Sequence, residues 1–398
     1  MRVGLLTTSF PRSRVDSAGL FVRGFAEMLA AGGHRVEVLA PEPPQAPDET
    51  LADSLSVTWV PYMRPRSLAR TFYRDGTPEN LRTDPLAWCG VPPFLFNMAR
   101  RAAHRAREWD ALVAHWSLPN ALLVGRHAFS GPRVTVFHSG DVAVLERLPL
   151  KTRVAAEIAS RSDRLWFVSQ DLADRFLRWV EPSDRSSVVS RTVVEPMGVT
   201  APAAAPQDTS SRQPHSRGPM TILTLSRLVP IKGIDVLIRA MAGQSEMDLI
   251  VAGEGSEGPH LARLAEDLRV PVRFVGAVHG AAKERCFAQA DLFASPSRSL
   301  PSGRTEGTPT AVLEAMIRGI PVVASKTGGL PEYLEHGVHA ALVEPDRPDA
   351  WARTLRALSE SHTYRKSLAA QGQARAGRFT WDAIGARRIP DLFRQELT

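Results

Sequence analysis

Short apolar runs alternate with helix-period stretches along nearly the whole chain, and that rhythm admits few folds. Residues 1–7 read as a strand. Phe21, Phe25, Met28 and Leu29 then recur at helical spacing, and Gly32 with Gly33 closes that helix. Residues 35–39, 111–114, 134–137 and 165–168 continue the strand series. Strands separated by helices are joined by crossovers, which makes their sheet parallel and covers both of its faces. The expected class is α/β and doubly wound.

The rhythm breaks once. Residues 200–220 are rich in Pro, Ala and Ser and have no apolar period, so they read as a linker. A second α/β series follows, with strands at 221–225, 248–252, 272–275, 291–294 and 320–324. The expected division is a domain over 1–199, a linker over 200–219 and a domain over 220–379. A last helix over 380–398 carries apolar anchors at Trp381, Ile384, Ile389 and Leu392. At 398 residues the chain has room for two such Rossmann-like domains facing a cleft, which is where a ligand is expected.

The charge narrows the partners. A formal net charge of +7 suggests anionic ones, such as nucleotide-sugars, phospholipid surfaces or nucleic acid. Arginines cluster at 64, 66, 70 and 74 and again at 100, 101, 105 and 107. They read either as a solvated helix face or as a peripheral contact with an anionic membrane. Nucleic acid is not expected, because there is no RNA- or DNA-binding module and no Cys/His finger. Cys89 and Cys286 are far apart and fit two reduced thiols of a cytoplasmic protein. No apolar run is long enough for a membrane span, and residues 1–9 turn polar too soon for a signal peptide.

The densest chemistry lies between Glu306 and Glu314. The run Glu306-Gly307-Thr308-Pro309-Thr310 reads as a loop entering a helix, with Thr308 as the expected N-cap and Pro309 at the first helical position. Backbone N–H groups at such a start suit an anion. Two carboxylates flank it, so the segment can hold a phosphate and grip the hydroxyls of an attached sugar. In the same domain Arg227 and Lys232 follow the strand 221–225 on one loop. Cations at the carboxyl end of a parallel strand are placed for a ligand's phosphates.

With these residues, the second domain resembles the donor half of a family 4 retaining glycosyltransferase (group 1 glycosyl transferase) of GT-B fold. The resemblance rests on Ser226-Arg227, Lys232-Gly233, Gly253-Glu254-Gly255, Val275-Gly276, Ala290-Asp291, Glu306, Glu314-Ala315-Met316, Gly319-Ile320-Pro321, Gly328-Gly329-Leu330-Pro331-Glu332 and Leu342-Val343, in order over about 130 residues. The first domain is similar more weakly, through Ala114-His115-Trp116, His138-Ser139-Gly140-Asp141 and Glu195-Pro196-Met197-Gly198. Phe379-Thr380-Trp381 matches a terminal helix that crosses back onto the first domain. Two departures stand out. The loop from Ser9 to Gly19 lacks a Gly-Gly pair, so only Gly19 carries over, and Met197 stands where Asn is frequent.

The resemblance implies roles. Arg227 and Lys232 would neutralise the diphosphate as it leaves. Gly307, Thr308, Pro309 and Thr310 would form the phosphate-side helix start. Glu306 would bind donor-sugar hydroxyls, Glu314 the ribose, and Ala277 and Val278 would lie near the base. His138 would stand beside the donor sugar, His115 would have a cleft or a packing role, and Asp141 would be an acceptor-side or a loop-capping residue. The co-substrate would be a nucleoside-diphosphate sugar and the acceptor a hydroxyl, lipid-linked in one version. No cofactor is expected, and no metal, since the chain lacks an Asp-x-Asp motif. Such an enzyme would be cytoplasmic, or held on the inner face of the membrane. Two rivals share the architecture: a sugar-nucleotide epimerase and a non-catalytic sugar-nucleotide-binding protein.

Overall fold

The computed structural model describes residues 1–398 except 14, 15, 17, 46, 48–50, 52, 74, 75, 203–217, 302, 304 and 395–398. Most of the expected linker thus lies outside the described residues. The chain forms two compact units, Met1–Gly198 with Trp381–Thr398, and Val199–Thr380.

The first unit holds seven strands, β1 (Arg2–Leu6), β2 (Arg35–Pro41), β3 (Leu55–Val60), β4 (Ala111–His115), β5 (Arg133–Phe137), β6 (Arg164–Phe167) and β7 (Thr192–Val194). Their order is β3-β2-β1-β4-β5-β6-β7, with every pair parallel. The chain winds outward from β1 to β3, then restarts beside β1 at β4. The winding direction therefore reverses between β1 and β4. Both faces are covered, one by a core that includes Phe25, Trp166 and Trp381, the other by Phe72, Phe94 and Trp109.

The second unit repeats the plan with β8 (Met220–Leu225), β9 (Met247–Ala252), β10 (Val272–Gly276), β11 (Leu292–Ser295), β12 (Val322–Ser325) and β13 (Ala341–Val343). The order is β10-β9-β8-β11-β12-β13, again all parallel. Its reversal lies between β8 and β11. Leu237, Trp351 and Leu355 fill one face, and Phe287, Leu313 and Met316 the other.

Several strands differ from the sequence reading. β3, β7 and β13 escaped it because β3 is half-exposed at an edge and β7 and β13 are only three residues long. β12 begins at Val322 rather than 320, because Pro321 has no N–H to give a neighbouring strand.

The terminal helix Trp381–Leu392 belongs to the first unit. Trp381 is wedged where two glycines leave room: a Cβ on Gly24 would lie 2.1 Å from its indole nitrogen, and one on Gly198 would lie 2.6 Å from its ring. Around that wedge, Glu195 pairs with Arg387 at 2.9 Å and Arg388 at 2.7 Å.

Candidate functional site

Ligands of doubly wound sheets bind outside the carboxyl ends of the strands, where the winding reverses. In the second unit those ends belong to β8 and β11. The loop after β8 carries both expected cations. Leu228, Val229 and Ile231 are buried and pin that loop, which leaves Arg227 exposed on one side of them and Lys232 half-buried on the other. The loop after β11 carries Glu306. The two loops meet: Lys232 Nζ lies 2.8 Å from Glu306 Oε2, and each side chain is only 16% exposed.

Other contacts hold the two loops. The Arg298 amide donates to the Ile231 carbonyl at 2.9 Å, and its guanidinium donates to both oxygens of Asp235 at 2.7 and 2.9 Å. The Gly329 amide donates to the Gly307 carbonyl at 2.8 Å. Gly328 stands at φ 59°, a left-handed conformation that other residues rarely adopt, and a Cβ there would lie 2.1 Å from the Glu306 carbonyl oxygen. Gly328 and Gly329 thus form the support on which Glu306 and Gly307 rest.

The helix start differs from the sequence reading by one residue. The helix runs Thr310–Ile317, and its N-cap is Pro309 rather than Thr308. Pro309 is extended, at ψ 113°, while its carbonyl accepts the Val312 N–H at 3.1 Å, so the first closed turn begins after it. Glu314 lies in the second turn. Its oxygens sit 2.7 and 2.8 Å from Lys283 Nζ, on the helix Gly280–Gln289. Sequence reasoning missed Lys283, since nothing in a helix thirty-one residues upstream marks it as a partner. Val278 is half-buried against the core, and the adjacent Ala277 amide donates to Glu254 Oε1 at 3.3 Å.

Among the residues singled out, the structure joins Lys232 to Glu306, and Gly307, Thr308, Pro309 and Thr310 are consecutive with Glu306. Gly19 and His138 belong to the first unit. Gly19 is the N-cap of the helix Leu20–Ala31. His138 follows β5 and opens the helix Ser139–Leu145.

His138 Nε2 lies 3.2 Å from His115 Nδ1, and the two rings stack at an interplanar angle of 21°. Phe21 and Trp116 also pack on His138. Burial pushes the His138 pKa down to about 3 and holds that of His115 well below the usual range, with the neighbouring His138 adding to the effect. Both imidazoles are therefore neutral near pH 7.

Asp141 serves the loop. Its carboxylate accepts the Ser117 amide at 2.6 Å, the His138 amide at 2.9 Å and the Val142 amide at 3.0 Å. Burial raises its pKa to about 7 against those same bonds, which favour the charged form.

Residues 18–194 match the family model of Glycosyltransferase Family 4, and residues 207–375 match that of Glycosyl transferases group 1. Over 307 residues the chain is 30% identical to the GDP-mannose-dependent monoacylated alpha-(1-6)-phosphatidylinositol monomannoside mannosyltransferase of Corynebacterium glutamicum, across 73% of this chain and 78% of that protein. Sucrose-phosphate synthase of Thermosynechococcus elongatus superposes with a TM-score of 0.76 at 21% identity, across 99% of this chain and 98% of that one. Anabaena HepE in complex with UDP superposes with a TM-score of 0.69 at 22% identity, across 98% and 99%. The structural likenesses give the fold, GT-B with two Rossmann-like units. The two family models and the Corynebacterium relative give the family: the chain belongs to the family 4, group 1 glycosyltransferases.

Proposed function

We propose that the protein transfers a sugar from a nucleoside-diphosphate sugar to an acceptor hydroxyl, with retention at the anomeric carbon and without a metal ion. The observation that carries this reading is the Lys232–Glu306 pair, which joins the loops after β8 and β11 where the winding reverses. A cation and a carboxylate side by side suit a substrate whose phosphate and sugar hydroxyls are also side by side.

In this reading Lys232 and Arg227 meet the diphosphate and stabilise the charge that develops as it leaves. Glu306 accepts from donor-sugar hydroxyls. Glu314 accepts from the ribose hydroxyls, and backbone N–H groups between Gly307 and Thr310 help to hold phosphate, Pro309 having none to give. Gly19 keeps its assignment to the donor. His138 is neutral, so it holds a hydroxyl by hydrogen bonding and carries no proton between partners. The bond from the anomeric carbon to the phosphate oxygen breaks with its electron pair going to the diphosphate. The acceptor oxygen forms its bond on the same face, and its proton passes to a phosphate oxygen. Positioning and fixed charge do most of the work.

The Corynebacterium relative is named for GDP-mannose and a phosphatidylinositol mannoside, and the Anabaena structure contains UDP. On that basis GDP-mannose and a glycolipid acceptor head the list of substrates to try. The test is turnover with GDP- and UDP-sugars in the presence of a chelator, with the product's anomeric configuration read by NMR. Transfer with retention is expected. An inverted product would overturn retention, loss of turnover with chelator would overturn metal independence, and an epimerised nucleotide-sugar without transfer would overturn the whole reading.

A further inference from the structure

The segment that follows β3 carries charge and exposed apolar surface out of proportion to its length. Residues 61–107 contain nine arginines against the acids Asp75, Glu79 and Asp84, so a net +6 of the chain's +7 falls in this stretch. The short helical segment Pro85–Gly90 runs directly into the helix Val91–Arg105. That helix buries Phe94, Met98 and Ala102 at steps of four. Its opposite side presents Pro92, Phe96, Arg100 and His104, also at steps of four and all exposed.

The apolar end of this stripe is extended by its neighbours. Phe96 is 68% exposed, Leu86 59% and Trp88 58%. The Trp88 ring is held at the surface, with its Nε1–H donated to the Leu81 carbonyl at 2.8 Å. Its one polar atom is thus satisfied while its ring faces outward. Arg82, Arg100 and Arg101 are exposed beside these apolar groups.

We propose that this face, with Leu86, Trp88 and Phe96 at its apolar end and Arg82, Arg100 and Arg101 around it, docks the protein on a lipid surface with anionic headgroups. Trp and Phe side chains suit the boundary between headgroups and acyl chains. Arginine stems lie along apolar surface while their guanidinium groups reach the phosphates. Each basic residue at an anionic surface strengthens binding about five-fold. Glu79 pairs with Arg82 and Asp84 with Arg70, yet the stretch keeps a large positive excess, and that excess around an apolar tip fits an anionic bilayer better than a protein groove of balanced charge. Among the described residues no helix is long and apolar enough to cross a membrane.

The test is co-sedimentation of the full chain with phosphatidylcholine vesicles, with and without phosphatidylserine. No donor is present, so the result stands or fails separately from the donor chemistry. Binding only to the anionic vesicles, and weaker at high salt, is expected. Arg100→Ala with Arg101→Ala should weaken it about twenty-five-fold. Phe96→Ser should also weaken it while leaving the thermal melt unchanged, because the side chain is mostly exposed. Absence of binding, equal binding to neutral vesicles, or variants that bind like the parent would overturn the proposal. So would a concentration-dependent dimer that Phe96→Ser dissolves without any vesicle binding, since the face would then belong to a second copy of the chain.

Discussion

Lys232 Nζ and Glu306 Oε2 lie 2.8 Å apart although seventy-four residues separate them in sequence. A diphosphate that reaches Lys232 enters a field the carboxylate has already shaped. Removing the cation leaves that carboxylate in a half-buried place without it. Lys232→Ala is expected to lower turnover about 100-fold or more, the scale of losing one charge-stabilising group. Its cost to stability should be only about 1–2 kcal/mol, between the values for exposed and buried pairs. Steady-state kinetics together with urea unfolding check both figures. Full activity in Lys232→Ala or Glu306→Gln would remove this site from the reaction.

Lys283 holds Glu314, so its effect should appear in donor binding. Lys283→Gln is expected to raise the donor KM about 10-fold with little change in kcat, the pattern of lost uniform binding. Lys283→Arg should restore much of the affinity. A drop in kcat at constant KM would place Lys283 in the chemical step instead.

Gly328 tests the support beneath Glu306. Gly328→Ala needs a left-handed Ala and drives its Cβ against the Glu306 carbonyl. A loss of about 1–3 kcal/mol in stability is expected, together with a large loss of turnover. Gly377→Ala is the control, since nothing lies within 4 Å of a Cβ there. Comparable melting temperatures for the two variants would show that the loop yields without displacing Glu306.

The first unit should be acid-sensitive in a way that traces to its histidines. His138 titrates at about 3 when folded, below its ordinary value, so between about pH 6.5 and 3 the unfolded chain binds a proton that the folded chain does not. Stability therefore falls as pH falls through that window, by up to about 1.4 kcal/mol per pH unit for one group. His115 acts in the same direction. Asp141, raised to about 7, acts in the opposite direction between about pH 7 and its ordinary value. Two histidines outweigh one carboxyl. In denaturant midpoints measured from pH 7 to 4, His138→Gln should lose stability less steeply than the parent, and equal slopes would refute the assignment.

The parallel, doubly wound plan was legible because β4 and β5 are buried along their whole length and read as short, mostly apolar runs. Arg227 and Lys232 were legible because one short segment carries both, directly after a strand. Lys283 was not, because its meaning comes only from the packing of two helices that the sequence keeps apart. The Thr308 N-cap failed for a local reason: the signals of Thr308 and Pro309 compete, and the backbone settled on the proline. Asp141 could be named as a weak site or a capping residue. Choosing between them required the Ser117 amide, which lies twenty-four residues away.

The chain passes between the units twice, at Gly198–Val199 and at Thr380–Trp381, and Val199 forms a β-bridge with Thr380. One consequence concerns biosynthesis. A ribosome delivers residues 1–198 long before it delivers Trp381, so the space between Gly24 and Gly198 waits until the second unit has been made. The second unit has all its residues earlier than the first does. The unit that begins the chain is therefore the one finished last, and truncation near the carboxyl terminus would damage the amino-terminal unit rather than the unit that precedes the cut.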